Sequence, residues 1–193
     1  MVTIGTLNGG NITITTGGSG GGETPVPVGR EITRAWWSDD ESDYSDLSSD
    51  NGTFDSSCWQ DNTSCIKIEF GNDVRIIGDW LFEGTDLESV VFGNNIQSIG
   101  DGAFFGTPIS EITLPNSVTQ IGGSAFNSCG MLTNVTLPDS VTSIGIDAFI
   151  GCEALTSVTI VATGNPNANA ANVKEMLINA ASVNENITWN MPS

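Results

Sequence analysis

Histidine is missing from all 193 residues. Ser-His and Cys-His nucleophilic pairs are therefore excluded, and so are zinc sites that need an imidazole. Bases are almost as scarce: 5 Lys and Arg stand against 23 Asp and Glu, a formal net charge of −18. A chain so short of cations has little with which to neutralise phosphates, which excludes nucleic acid and anionic membrane surfaces as partners. The charge favours solubility through self-repulsion, or a divalent cation or a basic partner. No apolar run comes near the roughly 18 residues that a membrane-spanning helix needs. The first ten residues have neither a basic segment nor a long apolar core, so no Sec-type leader is read there. No H-E-x-x-H, phosphate-binding loop or C-x-x-C pair occurs. Among 23 acids a chance carboxylate pair is expected, and it does not by itself make a glycosidase. The chain is read as no enzyme, with no cofactor.

What the chain does have is a repeat. Ile-Gly recurs at Ile77-Gly78, Ile99-Gly100, Ile121-Gly122 and Ile144-Gly145, at spacings of 22, 22 and 23 residues (99−77, 121−99, 144−121). Five residues after each Ile stands Phe82, Phe104, Phe126 or Phe149, and then an aliphatic, Leu87, Ile109, Leu132 or Leu155. An apolar-x-apolar triplet follows each time: Val90-Val91-Phe92, Ile112-Thr113-Leu114, Val135-Thr136-Leu137 and Val158-Thr159-Ile160, with Ile68-Glu69-Phe70 ahead of them. A fixed period in this range means a solenoid, whose turns bury their apolar faces only by stacking on one another.

Alternation with period two makes each triplet a short strand, and one strand per turn builds a parallel sheet. Pro115 and Pro138 follow two of the triplets and are expected to end the ladder there. The Ile-Gly segment reads as a second short strand followed by a turn. Triplet middles point outward, so Glu69, Val91, Thr113, Thr136 and Thr159 share one solvent face with Ser89, Glu111, Asn134 and Ser157 beside them. This polar face is the candidate binding surface; the plain alternative is a solvated sheet.

The run Leu-x-x-Val-x-Leu-Pro-x-Ser-Val-x-x-Ile-Gly-x-x-Ala-Phe-x-x-Cys resembles the BspA-like, or treponemal-type, leucine-rich repeat, from about Ile66 to Ile160. The resemblance implies a leucine-rich repeat solenoid and carries little about function. It leaves the setting open, because such repeats occur in bacterial surface adhesins, in protist surface proteins and in phage proteins.

The remaining segments divide by composition. Residues 1–16 hold two β-prone runs around Asn8-Gly9-Gly10, a β arm too short to fold alone that implies pairing with other copies, as in a homotrimer, or anchoring in a larger assembly. Residues 17–29 are a Gly- and Pro-rich linker. Residues 30–65 read as an N-terminal cap and acidic loop. Trp36 and Trp37 lie there, as lids over the first coil or as contacts for a partner or a sugar. Asp39, Asp40, Glu41, Asp43, Asp46, Asp50, Asp55 and Asp61 make calcium conceivable without any EF-hand spacing. Residues 66–160 are the repeats. Residues 161–193 are a C-terminal cap with a helix from Ala170 to Ala181, carrying Val173, Met176, Leu177 and Ala180 on one side, and a last strand, Ile187-Thr188-Trp189. Cys129 and Cys152 occupy one repeat position and are either small buried hydrophobes or an inter-coil disulfide; Cys58 and Cys65 could close a loop in an oxidising setting. The arm, the linker and the unread leader together suggest a phage virion-surface protein, a head fibre or decoration protein. The alternative is a bacterial cell-surface adhesin or secreted host-interaction protein whose export signal is not in this chain.

Overall fold

The computed structural model describes residues 15–16, 33–36, 44–47, 52–55, 64–165, 168–181 and 187–192. They form a parallel β-solenoid of about four turns, closed at its C-terminal end by one helix. The triplet strands are β5 (Lys67–Glu69), β7 (Ser89–Val91), β9 (Glu111–Thr113), β11 (Asn134–Pro138) and β13 (Ser157–Val161). The Ile-Gly segments give the two-residue strands β6 (Ile76–Ile77), β8 (Ser98–Ile99), β10 (Gln120–Ile121) and β12 (Ser143–Ile144), each followed by a turn. β4 (Thr53–Phe54) pairs in parallel with β6, so stacking starts earlier than the repeat pattern shows. Phe54 substitutes for the isoleucine at that level, which hides the coil from the motif.

A third ladder runs through the turns. The N–H groups of Phe82, Phe104 and Phe126 donate to the carbonyls of Ala103, Ala125 and Ala148 in the next coil, each at 2.8 Å. Coil-to-coil bonding thus takes up turn groups that have no partner within their own coil. Inside, the four phenylalanines form one stack, with centroids 5.1, 5.3 and 5.2 Å apart and planes within 10°, 2° and 14° of parallel. The inward-facing triplet aliphatics Ile68, Ile112, Leu114, Val135, Leu137, Val158 and Ile160, with Val74, Ile96, Val118 and Val141, and Leu87, Ile109, Leu132 and Leu155, fill the rest of the core and are buried, while Val90 is partly buried against them.

Two expectations need correction. Pro138 does not end its strand: it lies in register with Val161, and the N–H of Asp139 donates to the Val161 carbonyl at 2.9 Å. A proline inside a parallel ladder withholds only its own donor, and the next residue continues the bonding. Nor is the triplet sheet continuous. β5 pairs with β7, and β9 with β11 and β13, but β7 and β9 share no ladder. The break falls where the last triplet residue and the one after it change from Phe70-Gly71 and Phe92-Gly93 to Leu114-Pro115 and Leu137-Pro138. Gly93 lies so close on Gly71 that a Cβ there would collide with the Gly71 carbonyl, an approach closed to a proline ring at 115.

Both ends of the stack are covered. β2 (Thr33–Trp36) runs antiparallel on β5, and Thr33 Oγ1 accepts from the Gly71 N–H at 3.1 Å. β3 (Tyr44–Leu47) pairs with β2, and the arm residues β1 (Thr15–Thr16) pair with β3 in the same chain. At the other end α1 (Ala170–Ala181) seats Val173 and Leu177 in the core against β12 and β13. Asn169 Oδ1 caps it, accepting from the N–H groups of Ala171 and Asn172 at 3.0 and 3.2 Å. β14 (Thr188–Asn190) adds in parallel to β13.

Phe126 lies between two rings with no exposed surface. Phe126→Ala should cost about 3–5 kcal/mol in a urea melt, because a stacked core cannot collapse around the cavity. A loss below about 1 kcal/mol would place Phe126 outside the stack.

Candidate functional site

The strands put the candidate face residues into rows. Thr113, Thr136 and Thr159 lie in register, and the row ends at Asn190. Glu111, Asn134 and Ser157 form the next row, ending at Thr188. Across the break Glu69 pairs with Val91, and Lys67 with Ser89. Neighbours already engage several of these residues. Glu69 takes the Lys67 ammonium at 3.0 Å, a part-exposed pair that contributes little to stability. The Asn190 amide donates to Ser157 Oγ at 3.2 Å and to Thr159 Oγ1 at 3.1 Å, and the Asn134 amide to Thr133 Oγ1 at 3.0 Å.

Ser89, Val91, Glu111 and Thr113 instead line one cleft of about 430 Å³ at the β7–β9 break, together with Glu88 and Asn94. A second depression adjoins it, sharing Asn94, Thr113 and Pro115 and reaching Thr136. The cleft combines two carboxylates, hydroxyls and a carboxamide with the half-exposed Val91 side chain. Such a surface can hydrogen-bond a polar ligand; it offers no base for a hydroxyl nucleophile beyond the two carboxylates. Asn94 and Asn190 were not legible as face residues. The Phe-Gly to Leu-Pro change was the available signal for the cleft.

Of the two tryptophans, Trp36 has its backbone in β2, paired with Lys67 and Tyr44, and Trp37 lies outside the described residues. The calcium reading of the acidic loop falls largely outside them too. Among the described residues no three metal-ligating side chains gather, and no helix is long and apolar enough to cross a membrane.

The described cysteines, Cys65, Cys129 and Cys152, are buried in the structure. Thr85, Thr107, Cys129 and Cys152 form one buried column in the turns. Thr85 and Thr107 donate to the carbonyls of Phe82 and Phe104 at 2.9 Å. The thiols of Cys129 and Cys152 donate instead to the carbonyls of Phe104 and Phe126, one coil back, at 3.1 and 3.2 Å. Both are free thiols, so the inter-coil disulfide is not formed. Cys65 is buried with its thiol on the Lys67 carbonyl at 3.2 Å, and Cys58 lies outside the described residues. Burial raises the pKa of Cys129, against the opposing effect of its hydrogen bonding with Thr107. Burial, and then the neighbouring Cys129, pushes Cys152 up to about 12. Neither is a poised nucleophile.

The model for the BspA type leucine rich repeat region, in 6 copies, matches residues 52–171, more than half of the sequence. The chain belongs to the BspA-type leucine-rich repeat family. Among solved structures it is similar to a leucine rich repeat protein of T. pallidum, at 30% identity and a TM-score of 0.51, over 55% of this chain and 51% of that one. It thus spans about half the length of that protein. A leucine-rich repeat protein of Bacteroides ovatus aligns at 23% identity and a TM-score of 0.42, over 71% of this chain and 47% of that one. A leucine rich cell surface protein of Faecalibacterium prausnitzii aligns at 22% identity and a TM-score of 0.34, over 47% and 40%. No curated protein sequence matches.

Thiol chemistry gives a direct check. At pH 8 Cys129 and Cys152 should resist iodoacetamide in the folded protein and react fully in guanidinium, as peptide mapping would read. Rapid native labelling of either would contradict their burial. Holding Cys152 neutral stabilises the fold below the thiol's ordinary pKa of 9.0, and that contribution falls away as pH rises towards about 12.

Proposed function

We propose that this leucine-rich repeat protein is a non-catalytic recognition module of a bacterial cell surface, and that it binds through the triplet-sheet face around the β7–β9 cleft. The observation that carries the reading is the clustering of Ser89, Val91, Glu111 and Thr113 in that cleft, beside an in-register threonine row. Side chains repeated on a rigid sheet lose little entropy on binding, which suits them to recognition. Family membership supports a binding role, and bacterial surface adhesins are one of the settings in which such repeats occur. The head-fibre reading drew on the arm and linker, which lie almost entirely outside the described residues, whereas the solved relatives named above are bacterial. The cell-surface alternative is therefore preferred.

Surface shaving tests the location. No Lys or Arg occurs between Arg75 and Lys174, so trypsin would spare the coils beyond Arg75 and a Glu-specific protease is the right reagent. Peptides from residues 76–173 should appear in the supernatant of intact cells. Recovery only from purified virions or from the cytosol would overturn the location. For the face, Thr113→Arg should weaken retention on an array of glycans and extracellular proteins at least tenfold without shifting the melting temperature. Equal retention by wild type and variant would remove the cleft from the binding surface.

A further inference from the structure

The turn surface of the solenoid carries one residue that the fold does not explain. Trp80 adopts a left-handed backbone conformation, with φ of 54°. The same place in the later coils is held by Gly102, Ser124 and Asp147, at φ of 59°, 53° and 60°. Glycine tolerates that conformation, and small polar residues visit it, but for a bulky side chain it is a genuine outlier. An outlier of this kind is a reason to look for function. The later coils stack without an aromatic at this position, so the core does not require one.

The indole is laid out as a platform. A Cβ on Gly102 would collide with its six-membered ring, so the ring rests on bare backbone. Phe105 supports it, with centroids 5.9 Å apart and planes tilted by 50°. Trp80 is nevertheless 49% exposed, which leaves much of the indole to solvent.

The charge around it has one sign. Asp79 precedes Trp80 in the chain, the Glu83 N–H donates to the Trp80 carbonyl at 3.5 Å, and the Trp80 N–H donates to the Asp101 carbonyl at 2.8 Å, which brings the Asp101 backbone alongside. Backbone donors hold two of these carboxylates: Asp79 Oδ1 accepts from the Asp101 N–H at 2.8 Å, and Asp101 Oδ1 from the Gly123 N–H at 2.6 Å. No base lies in the sequence between Arg75 and Lys174.

We propose that Trp80, backed by Phe105 and with the acids Asp79, Glu83 and Asp101 next to it in the turn and in the adjoining coil, receives an arginine or lysine side chain from a basic segment of a partner protein. The face of an indole attracts cations through its quadrupole, and Trp is the best of the aromatic residues at it. The carboxylates add to that attraction and give the cation hydrogen-bond acceptors. A neutral sugar would stack on the ring and hydrogen-bond the carboxylates but gain no Coulomb attraction from them, and an anion would be repelled. The site is separate from the triplet-sheet face, so each can fail without the other.

The test uses the full chain and fluorescein-labelled hexa-arginine, followed by anisotropy at about 0.15 M salt, where the Debye length is about 8 Å and distant charges are screened. Trp80→Gly should weaken binding about tenfold, and Trp80→Phe should retain most of it. Glu83→Gln, at an exposed position, should weaken it and flatten its salt dependence, and it keeps the test readable if the glycine variant fails to fold. Three results would overturn the proposal: no hexa-arginine binding by the wild type, equal binding by wild type and the Trp80 and Glu83 variants, or Trp80-dependent binding of a neutral hexasaccharide in its place.

Discussion

A coil that cannot bury its own apolar residues must bring the next coil to within about 5 Å, the spacing at which parallel strands bond. The phenylalanine stack, at 5.1 to 5.3 Å, matches that spacing. Three elements hold it from different sides: the triplet ladders, the Ile-Gly ladder and the Phe-to-Ala bonds of the turns. Glycine permits the approach. At Gly78, Gly100, Gly122 and Gly145 a Cβ would fall inside contact distance of the preceding coil. Rings that stack at this distance and backbones that bond at it are one constraint seen twice.

The same constraint determines what the surface can do. Residues one repeat apart are held in line, so a threonine kept at one position becomes a row, and an acid kept there becomes a column. Where the repeat changes its chemistry, the row is interrupted. The shift from Phe-Gly to Leu-Pro at the ends of the triplets coincides with the lapse in bonding between β7 and β9 and with the cleft that opens there. Trp80 is the corresponding departure on the turn surface, a bulky residue at a position otherwise held by Gly, Ser and Asp. On both surfaces the irregular coil, rather than the average one, carries the candidate site.

Much of this was legible in the sequence because a repeat shows its own register. Four Ile-Gly pairs and four phenylalanines at matching offsets fix which residues face inward, and the outward row from Thr113 to Thr159 follows from period two. The helix Ala170–Ala181 was readable from Val173 and Leu177 at helical spacing, and both are buried. What was not legible depends on contacts between coils rather than on periodicity within one. β4 was hidden because Phe54 replaces the isoleucine of the motif. The strand through Pro138 was hidden because a missing donor reads as a stop even when Asp139 supplies the next bond. The cleft was hidden because a break between two regular strands leaves each of them regular.

The central claim, that close approach of coil backbones governs the fold, is tested most directly at Gly122, where the space for a Cβ is occupied by the backbone of Gly100 and Asp101. At a site free of such contact, Gly→Ala stabilises by about 0.4–1 kcal/mol through the unfolded chain alone. Equilibrium urea unfolding of Gly122→Ala therefore separates the two cases by sign. Close approach predicts a loss of about 1–3 kcal/mol, as for an overpacked core. A neutral or stabilised variant would contradict it.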